Sequence, residues 1–467
     1  MPDSALVEHL RRAVGTEAVR TDANELDARS HDTWPVATVW AKLGRHPHRP
    51  DVVVHADSVE RVVATVRTAG EHRTPVTPWG LGSSVTGQPL PVRGGIVLDL
   101  SGLVGEPSLN EIDHTVTVPA GVRGSDLEAW LDRRGYTLNH SPQSLARSTV
   151  GGWLATRATG QFSSRYGGIE DLVVGYQVVL ADGTVAQVEQ RPRAAMGPDL
   201  RAVFLGSEGT LGVITAVTLK IFSRPPHRSL EAFTLPSVSA GLTVMRTIGQ
   251  TGLRPSLVRF YDATEARHAV PDGPHGSPVL FLGHEGVGDV ARAEHAASAE
   301  VVRSAGGVSL GAEPVDAWMA RRYDFSTIER RLAEPGGYAE TIEVANLWSR
   351  LEPMYHDLRR ELTPLAEETL GHFSHIYDQG SSLYLILLGR AEDDQTALSR
   401  LEEIWARAMK VVVAHHGEVS HHHGGGLARQ PWVAQSLAGG HEILRRIKDA
   451  LDPGHLLNPG KLGLDPE

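Results

Sequence analysis

The chain has no cysteine among its 467 residues. That absence removes disulfides, thiolate zinc sites, iron–sulfur clusters and cysteine nucleophiles together. No window holds eighteen uninterrupted apolar residues, so a membrane span is not expected. Positive charge is scarce as well: 45 Lys and Arg face 56 Asp and Glu, a net charge of −11. Such a balance speaks against nucleic acid as the main partner. The sequence lacks internal repeats and low-complexity tracts. Met1-Pro2-Asp3-Ser4 has neither the basic segment nor the apolar core of a signal peptide, and Leu464-Asp465-Pro466-Glu467 is not a peroxisomal tripeptide. A cytoplasmic address is therefore the expectation.

What is present suffices for a globular protein of ordinary apolar content, 41% hydrophobic. Its length exceeds what one core usually serves, so two domains are expected. A β-α-β unit is readable from residue 50: a strand at Asp51–His55, a helix capped by Ser58, then a short strand at Thr74–Trp79. Further strands are expected at Gly94–Leu100, Thr115–Val118, Val173–Leu180, Thr184–Val188 and Gly212–Phe222, with a hairpin signal at Ala181-Asp182-Gly183. Arg224-Pro225-Pro226 marks the domain boundary. Beyond it come helices at Val290–Ala305 and Pro353–Leu362, a long helix at Gln395–His415, a His-rich strand and one more helix at Val433–Leu451.

Glycine is plentiful, at 49 residues, and clusters in turns. Gly80-Leu81-Gly82-Ser83-Ser84-Val85-Thr86-Gly87 superficially matches a dinucleotide fingerprint. Val85 stands where the third glycine belongs and no clear helix follows, which argues against a Rossmann unit. Backbone N–H groups in such a turn can still cradle a diphosphate. Similar turns recur at Ser148–Trp153, Arg165–Gly168 and Gly206–Gly212. Four of them suggest backbone wrapped closely around a large, flat, phosphate-bearing ligand.

Near the C-terminus, Ser420-His421-His422-His423-Gly424-Gly425-Gly426 leaves three readings open: a metal site, acid/base or substrate contact, and a buried His-rich turn. In an extended strand only His421 and His423 share a face, short of the three or four ligands zinc takes. Imidazole titrates near neutral pH, and adjacent glycines admit a flat ligand.

Pro78–Thr86, Pro142–Gly152, Tyr166–Val174 and Gly206–Ile214 resemble the FAD-binding segments of the vanillyl-alcohol-oxidase-type (PCMH-type) flavoproteins. The resemblance runs from about residue 50 to the ending Asp452–Lys461. It implies an α+β, two-domain fold: an FAD-binding domain of residues 1–224 plus 405–467, and an α/β cap domain of residues 225–404. It implies cofactor contacts from Pro78, Trp79, Gly80, Leu81, Gly82, Ser83 and Ser84 in the first turn. Pro142, Ser144, Ser148, Thr149, Gly151, Gly152, Thr156, Arg157, Ala158, Thr159 and Tyr166 would supply the middle segment, and Glu208, Gly209, Val213 and Ile214 the last. Covalent FAD in this superfamily is often tethered to a His in the first turn, sometimes with a second link through Cys. Ser83 and Ser84 occupy that turn and no Cys exists, so non-covalent FAD is expected.

Two branches compete. The D-2-hydroxyacid dehydrogenases hold a divalent metal through a His-x-x-Gly-Asp-Gly-Asn-x-His segment and a later Glu-His-Gly. Here the first becomes His375-Ile376-Tyr377-Asp378-Gln379-Gly380-Ser381-Ser382-Leu383-Tyr384 and the second His422-His423-Gly424, so a histidine and a glutamate are missing and no metal is expected. Ser148–Trp153, Thr156–Ala158, Ile169–Val174, Gly197–Asp199, Tyr377–Gly380 and Ser420–Gly426 are instead similar to the alkylglycerone-phosphate synthase branch in order and spacing. That branch implies exchange of an acyl group for an alcohol on an anionic keto substrate, through a flavin N5 adduct and without net redox. Its roles fall on Tyr377 for proton transfer, on His421, His422 and His423 for acid/base and phosphate contact, and on Arg259 and Arg193 as substrate anchors. Departures at Leu81, at Leu427 and in a short loop near Val270–Ser277 put a lipid substrate in question and leave a small soluble one open. The alternative is FAD-dependent oxidation of a hydroxy acid or alcohol. A homodimer acting on a phosphate-bearing small molecule, with a lipid among the candidates, completes the expectation.

Overall fold

The computed structural model of the protein describes residues 4–465. Val52–His55 and Ile96–Asp99 are near-continuous apolar runs, the composition of strands buried on both faces. They pair in parallel, with Val76–Trp79 parallel on one edge and Val19–Arg20 antiparallel on the other. Ser58 caps the helix Val59–Glu71 as read from the sequence, its hydroxyl accepting the Arg61 N–H. A second, antiparallel sheet runs in the order Ser108–Asn110, Thr115–Pro119, Val213–Lys220, Val173–Val179, Val185–Val188. Its last two strands meet at the expected hairpin, where Gly183 takes φ +78°.

Seven antiparallel strands form the cap sheet, in the order Val308–Gly311, His227–Thr234, Val279–Gly286, Leu257–Tyr261, Glu368–Ile376, Gly380–Arg390, Gly337–Leu347. Strand alternation sorts its two faces. Val258, Phe260, Phe373, Leu383, Leu385, Ile342 and Val344 pack into a core with the helices Val238–Gln250, Trp348–Leu362 and Asp394–Ala414. That core also takes in Trp34, Val53, Trp79 and Val97 from the first sheet and its neighbours. The expected domain cut between 404 and 405 falls inside the helix Asp394–Ala414, whose buried residues from Ala397 to Val412 all join this core.

The tail returns to the first sheet. Leu457 bridges Val76 in parallel, Asn458 donates to the carbonyls of Gln88 and Glu208, and Lys461 donates to that of Leu90. The single helix expected at Val433–Leu451 is two, Gln430–Leu437 and Gly439–Leu451, broken at Ala438 with φ +47°. Gly439 and Gly440 open the second helix.

Candidate active site

The face of the cap sheet opposite its helices carries a polar row. Register places Tyr261 beside His372, His372 beside Tyr384, and Tyr384 beside Glu343 on four adjacent strands. Arg259 and Ser374 form the next rung. Arg259, on the same side as Leu257 and Tyr261, donates to His372 Nε2 at 2.8 Å. A guanidinium can only donate, so this His372 nitrogen accepts and Nδ1–H donates to Glu265 at 2.8 Å. Burial, then the Arg259 charge, holds His372 below its ordinary pKa.

The triple histidine is not the strand expected from its sequence. Residues 421–423 are a series of bends wrapped around one carboxylate. Glu343, fully buried, accepts the backbone N–H groups of His421, His422 and His423 at 2.8, 2.9 and 3.3 Å. Arg429, equally buried, binds Glu343 Oε2 at 3.3 Å and the carbonyls of Val419, Gly424 and Glu343. Burial alone would raise the Glu343 pKa. The neighbouring His422 and His423, and then Arg429, overcome it and hold the carboxyl well below its usual range. Because the bends break strand alternation, all three rings are packed edge to face, with centroids 5.0 and 4.8 Å apart.

Tyr377 meets this loop. Its hydroxyl lies 2.7 Å from His421 Nε2, while the residue is 43% exposed. Strand alternation would set His375 and Tyr377 on one face, and it does not hold here. His375 occupies a bulge with φ +56°, and Tyr377 follows the strand end at Ile376. Both still reach His421, His375 by stacking at 5.0 Å and Tyr377 by hydrogen bond. Burial, then the Glu170 and Asp171 carboxylates, holds the Tyr377 phenol above its ordinary pKa. His421 and His423 are pushed down to about 3, chiefly by burial, so both are neutral at physiological pH. One nitrogen each of His375, His421 and His422 falls within 4.8 Å of the others, a spacing that would admit a metal ion. His421 Nδ1 and His422 Nδ1 already lie 2.7 Å apart, and His375 Nδ1 bonds Ser163, so a metal would displace existing hydrogen bonds.

The expected cofactor residues divide into two groups. Some frame a cradle that only glycine tolerates: a Cβ on Gly80 would meet Thr149 Oγ1 at 2.8 Å, and one on Gly209 would meet Pro78 at 2.9 Å. Gly82 and Gly209 also take φ +66° and +74°. Leu81, Ser83 and Ser84 are half-buried on that turn, which Thr33 holds by donating to the carbonyls of Ser83 and Ser84. Thr149 caps the helix Val150–Thr156, where Gly151 packs on Ala120 and Thr156 donates back to Gly152; Arg157, Ala158 and Thr159 follow it.

The rest have side chains committed elsewhere. Glu208 accepts the N–H groups of Gly425 and Gly426. Tyr166 donates to Glu285 of the cap, Ser148 bridges Ser144 and Trp153, and Trp79, Val213 and Ile214 are core residues. Arg193 is exposed and makes no hydrogen bond or ion pair among the described residues, so the structure does not bring it to this cluster.

Buried polar atoms without partners fit a bound group here: both ring nitrogens of His140, Nδ1 of His423 and Nε of Arg259. His140 precedes the Ser141-Pro142 segment and borders a cleft of about 440 Å³ shared with Phe162, Arg228, Arg322 and Tyr323. Sequence reasoning missed Glu343, Arg429, His372, Glu265 and His140 as parts of the site. Glu343 carried a usable signal, since a charged residue on a run as apolar as Thr341–Ala345 demands a partner.

Residues 50–189 match the family of FAD binding domains, and residues 224–462 match the C-terminal domain of FAD linked oxidases. Alkyldihydroxyacetonephosphate synthase of Trypanosoma brucei brucei is 27% identical over 98% of this chain and 80% of its own. The uncharacterized FAD-linked oxidoreductase YgcU of Escherichia coli (strain K12) is 30% identical over 98% of both. A probable mitochondrial D-lactate dehydrogenase of Danio rerio is 29% identical over 88% of this chain and 84% of its own. A solved alkyldihydroxyacetonephosphate synthase superposes with a TM-score of 0.82 at 22% identity, covering 99% of this chain and 86% of that one. p-Cresol methylhydroxylase with substrate bound gives 0.83 at 18% identity over 99% and 96%. The fold is thus the α+β PCMH-type architecture that the glycine turns implied.

Proposed function

We propose a function for a chain that belongs to the FAD-linked oxidase family and whose cofactor is FAD: exchange of an acyl group for an alcohol on a phosphate-bearing keto substrate, without net redox. The observation that carries this reading is the Tyr377–His421 contact at 2.7 Å, a proton acceptor with its own partner at the open edge of the site. Gly80, Gly82 and Gly209 would admit the cofactor's backbone contacts, and His140, His423 and Arg259 would meet its buried edge or the substrate. FAD, held without a covalent link, would supply an electron-accepting ring.

The chain's own groups do the rest. Tyr377 takes a proton from the carbon next to the ketone and later returns it, with His421 receiving the phenolic proton. Arg259, with a fixed fork of donors, anchors the phosphate. Neutral His423 meets the departing oxygen. The carboxylate leaves as its C–O bond breaks, the alcohol oxygen forms the new C–O bond, and the alcohol's proton departs with the acid. A homodimeric cytoplasmic enzyme, with a lipid among its candidate substrates, belongs to the same proposal; among the described residues no helix is long and apolar enough to cross a membrane.

The test is anaerobic. Hexadecanoyl-dihydroxyacetone phosphate and labelled hexadecanol should give labelled ether with the flavin remaining oxidised after turnover. Lasting bleaching, reversed only by an electron acceptor, would establish the second reading, oxidation of a hydroxy acid. That reading is favoured by the likeness to D-lactate dehydrogenase and by the three-histidine spacing.

A further inference from the structure

Three arginines line the cleft that His140 borders, and two of them are neutralised. Arg224 pairs with Asp132 at 2.8 Å. Arg228 pairs at 2.6 Å with Glu285, a fully buried acid that also accepts from Tyr166 and Asn139. Glu128, the other acid on the wall, accepts the Thr137 hydroxyl and the Leu138 N–H. Arg322 differs, because among the described residues no carboxylate pairs with it. Its Nη1 donates to the Met319 carbonyl at 2.5 Å and its Nη2 to the Tyr323 hydroxyl at 3.0 Å, while the buried Nε–H meets nothing.

The surroundings hold this guanidinium beside His140. It lies 4.4 Å from the Tyr323 ring centroid and 6.0 Å from that of Phe162, and Tyr323 Oη is 2.6 Å from Ser141 Oγ, on the residue after His140. His140 is 1% exposed, meets the Trp153 ring edge to face at 4.6 Å, and leaves both ring nitrogens without partners. Phe162 precedes Ser163, whose hydroxyl lies 2.7 Å from His375 Nδ1, and His375 stacks on His421. One wall of the cleft therefore backs onto the Tyr377–His421 cluster. Charge and donor count then limit the ligand. Nε–H is one prong of the fork that a guanidinium offers to a pair of oxygens. A neutral imidazole adds one N–H, and burial keeps His140 neutral. One uncompensated positive charge and two unmet buried donors match a singly charged anion with two oxygens. A phosphate dianion would bring a second charge and a third oxygen, and no further unpartnered buried donor lines the cleft among the described residues.

We propose that this cleft is a carboxylate subsite, with Arg322 and His140 as its two donors. Arg259 keeps the phosphate, and the second anion has a place of its own. One source of that carboxylate rests on the acyl-exchange reading: when the acyl C–O bond breaks, the bonding pair stays on the departing oxygen, and the freed acid is held as its anion. In the oxidation reading, the same two donors take the carboxylate of the hydroxy acid. Both sources present the same chemistry to Arg322 and His140.

The test titrates holoenzyme anaerobically with octanoate and with D-lactate, following heat of binding and the flavin spectrum. Octanoate should bind with the flavin retained, and inorganic phosphate at equal concentration should not displace it. Arg322→Met should weaken octanoate binding about tenfold or more, the scale of a lost hydrogen bond to a charged group. Arg322→Lys keeps the charge without the fork and should lose less; retained flavin in each variant shows that it folds. Competition by octanoate against hexadecanoyl-dihydroxyacetone phosphate would identify the departing acid as the occupant. Bleaching of the flavin by D-lactate, with KM raised about tenfold in Arg322→Met, would identify the hydroxy acid. Octanoate affinity unchanged in Arg322→Met, or binding seen only as flavin is released, would overturn the subsite. Should octanoate binding depend on Arg322 while hexadecanoyl-dihydroxyacetone phosphate and hexadecanol give no ether, the subsite stands and the acyl-exchange reading falls.

Discussion

Glu343→Gln keeps the shape of a fully buried side chain and removes its charge, and the structure states what each new atom would meet. One carboxylate oxygen accepts the N–H groups of His421 and His422; the other faces the His423 N–H, the Ser420 hydroxyl and Arg429. A glutamine presents an NH₂ on one of those sides whichever way it turns, so a donor must point at a donor. Arg429 is left 0% exposed without its carboxylate. Removing one partner of a buried ion pair costs about 3–5 kcal/mol. Arg429 keeps three carbonyl acceptors, which places the expected loss near the low end of that range. Urea unfolding at neutral pH, followed by tryptophan fluorescence with FAD bound, measures it. Arg429→Met in the same chain relieves the stranded charge, so the double variant should lose less than the sum of the singles by about 1–3 kcal/mol. A Glu343→Gln loss below about 1 kcal/mol, the cost of an ordinary surface pair, would refute the claim that this carboxylate organises the loop.

Tyr377→Phe should retain FAD and lower turnover by about 10²–10⁴-fold; a near-normal rate removes the phenol from the chemistry. His140 is pushed down to about 3 by burial, so the unfolded chain takes up its proton below about 6.5 while the folded chain stays neutral until about 3. The folded state therefore loses stability as pH falls through that window, by about 1.4 kcal/mol per pH unit. His140→Asn should abolish that share of the slope in urea titrations run from neutral to acid pH, and an unchanged slope would contradict it. Gly80→Ala places a Cβ 2.8 Å from the Thr149 hydroxyl, which also caps the helix Val150–Thr156. A cap loss of about 1 kcal/mol and a drop in FAD retention on desalting should appear together; full flavin content would show that the turn does not approach the cofactor.

Much of this was legible locally and little of it at long range. The run Leu257–Tyr261 is apolar around Arg259, and strand alternation sets that charge on the face opposite Val258 and Phe260. The glycine turns announced close backbone approach, and Gly80, Gly82 and Gly209 show it. What alternation could not supply was which strands lie side by side, and hence the row Tyr261, His372, Tyr384 and Glu343. The triple histidine misled for a physical reason. Local pattern assigns such a segment to a strand, whereas a carboxylate about eighty residues away takes three consecutive N–H groups and bends the backbone around itself.

That carboxylate has a counterpart, and together they explain why the loop sits where it does. Glu343 holds the histidine half, and Glu208 holds the glycine half through Gly425 and Gly426. Each acid is buried, and each accepts backbone donors that no sheet or helix would otherwise satisfy. The sequence displays the imidazoles, which invite a ligand reading. The structure shows that the backbone beneath them is what both carboxylates grip: Glu343 seats the histidine half on the sheet that carries Tyr384 and leads into Tyr377, and Glu208 seats the glycine half.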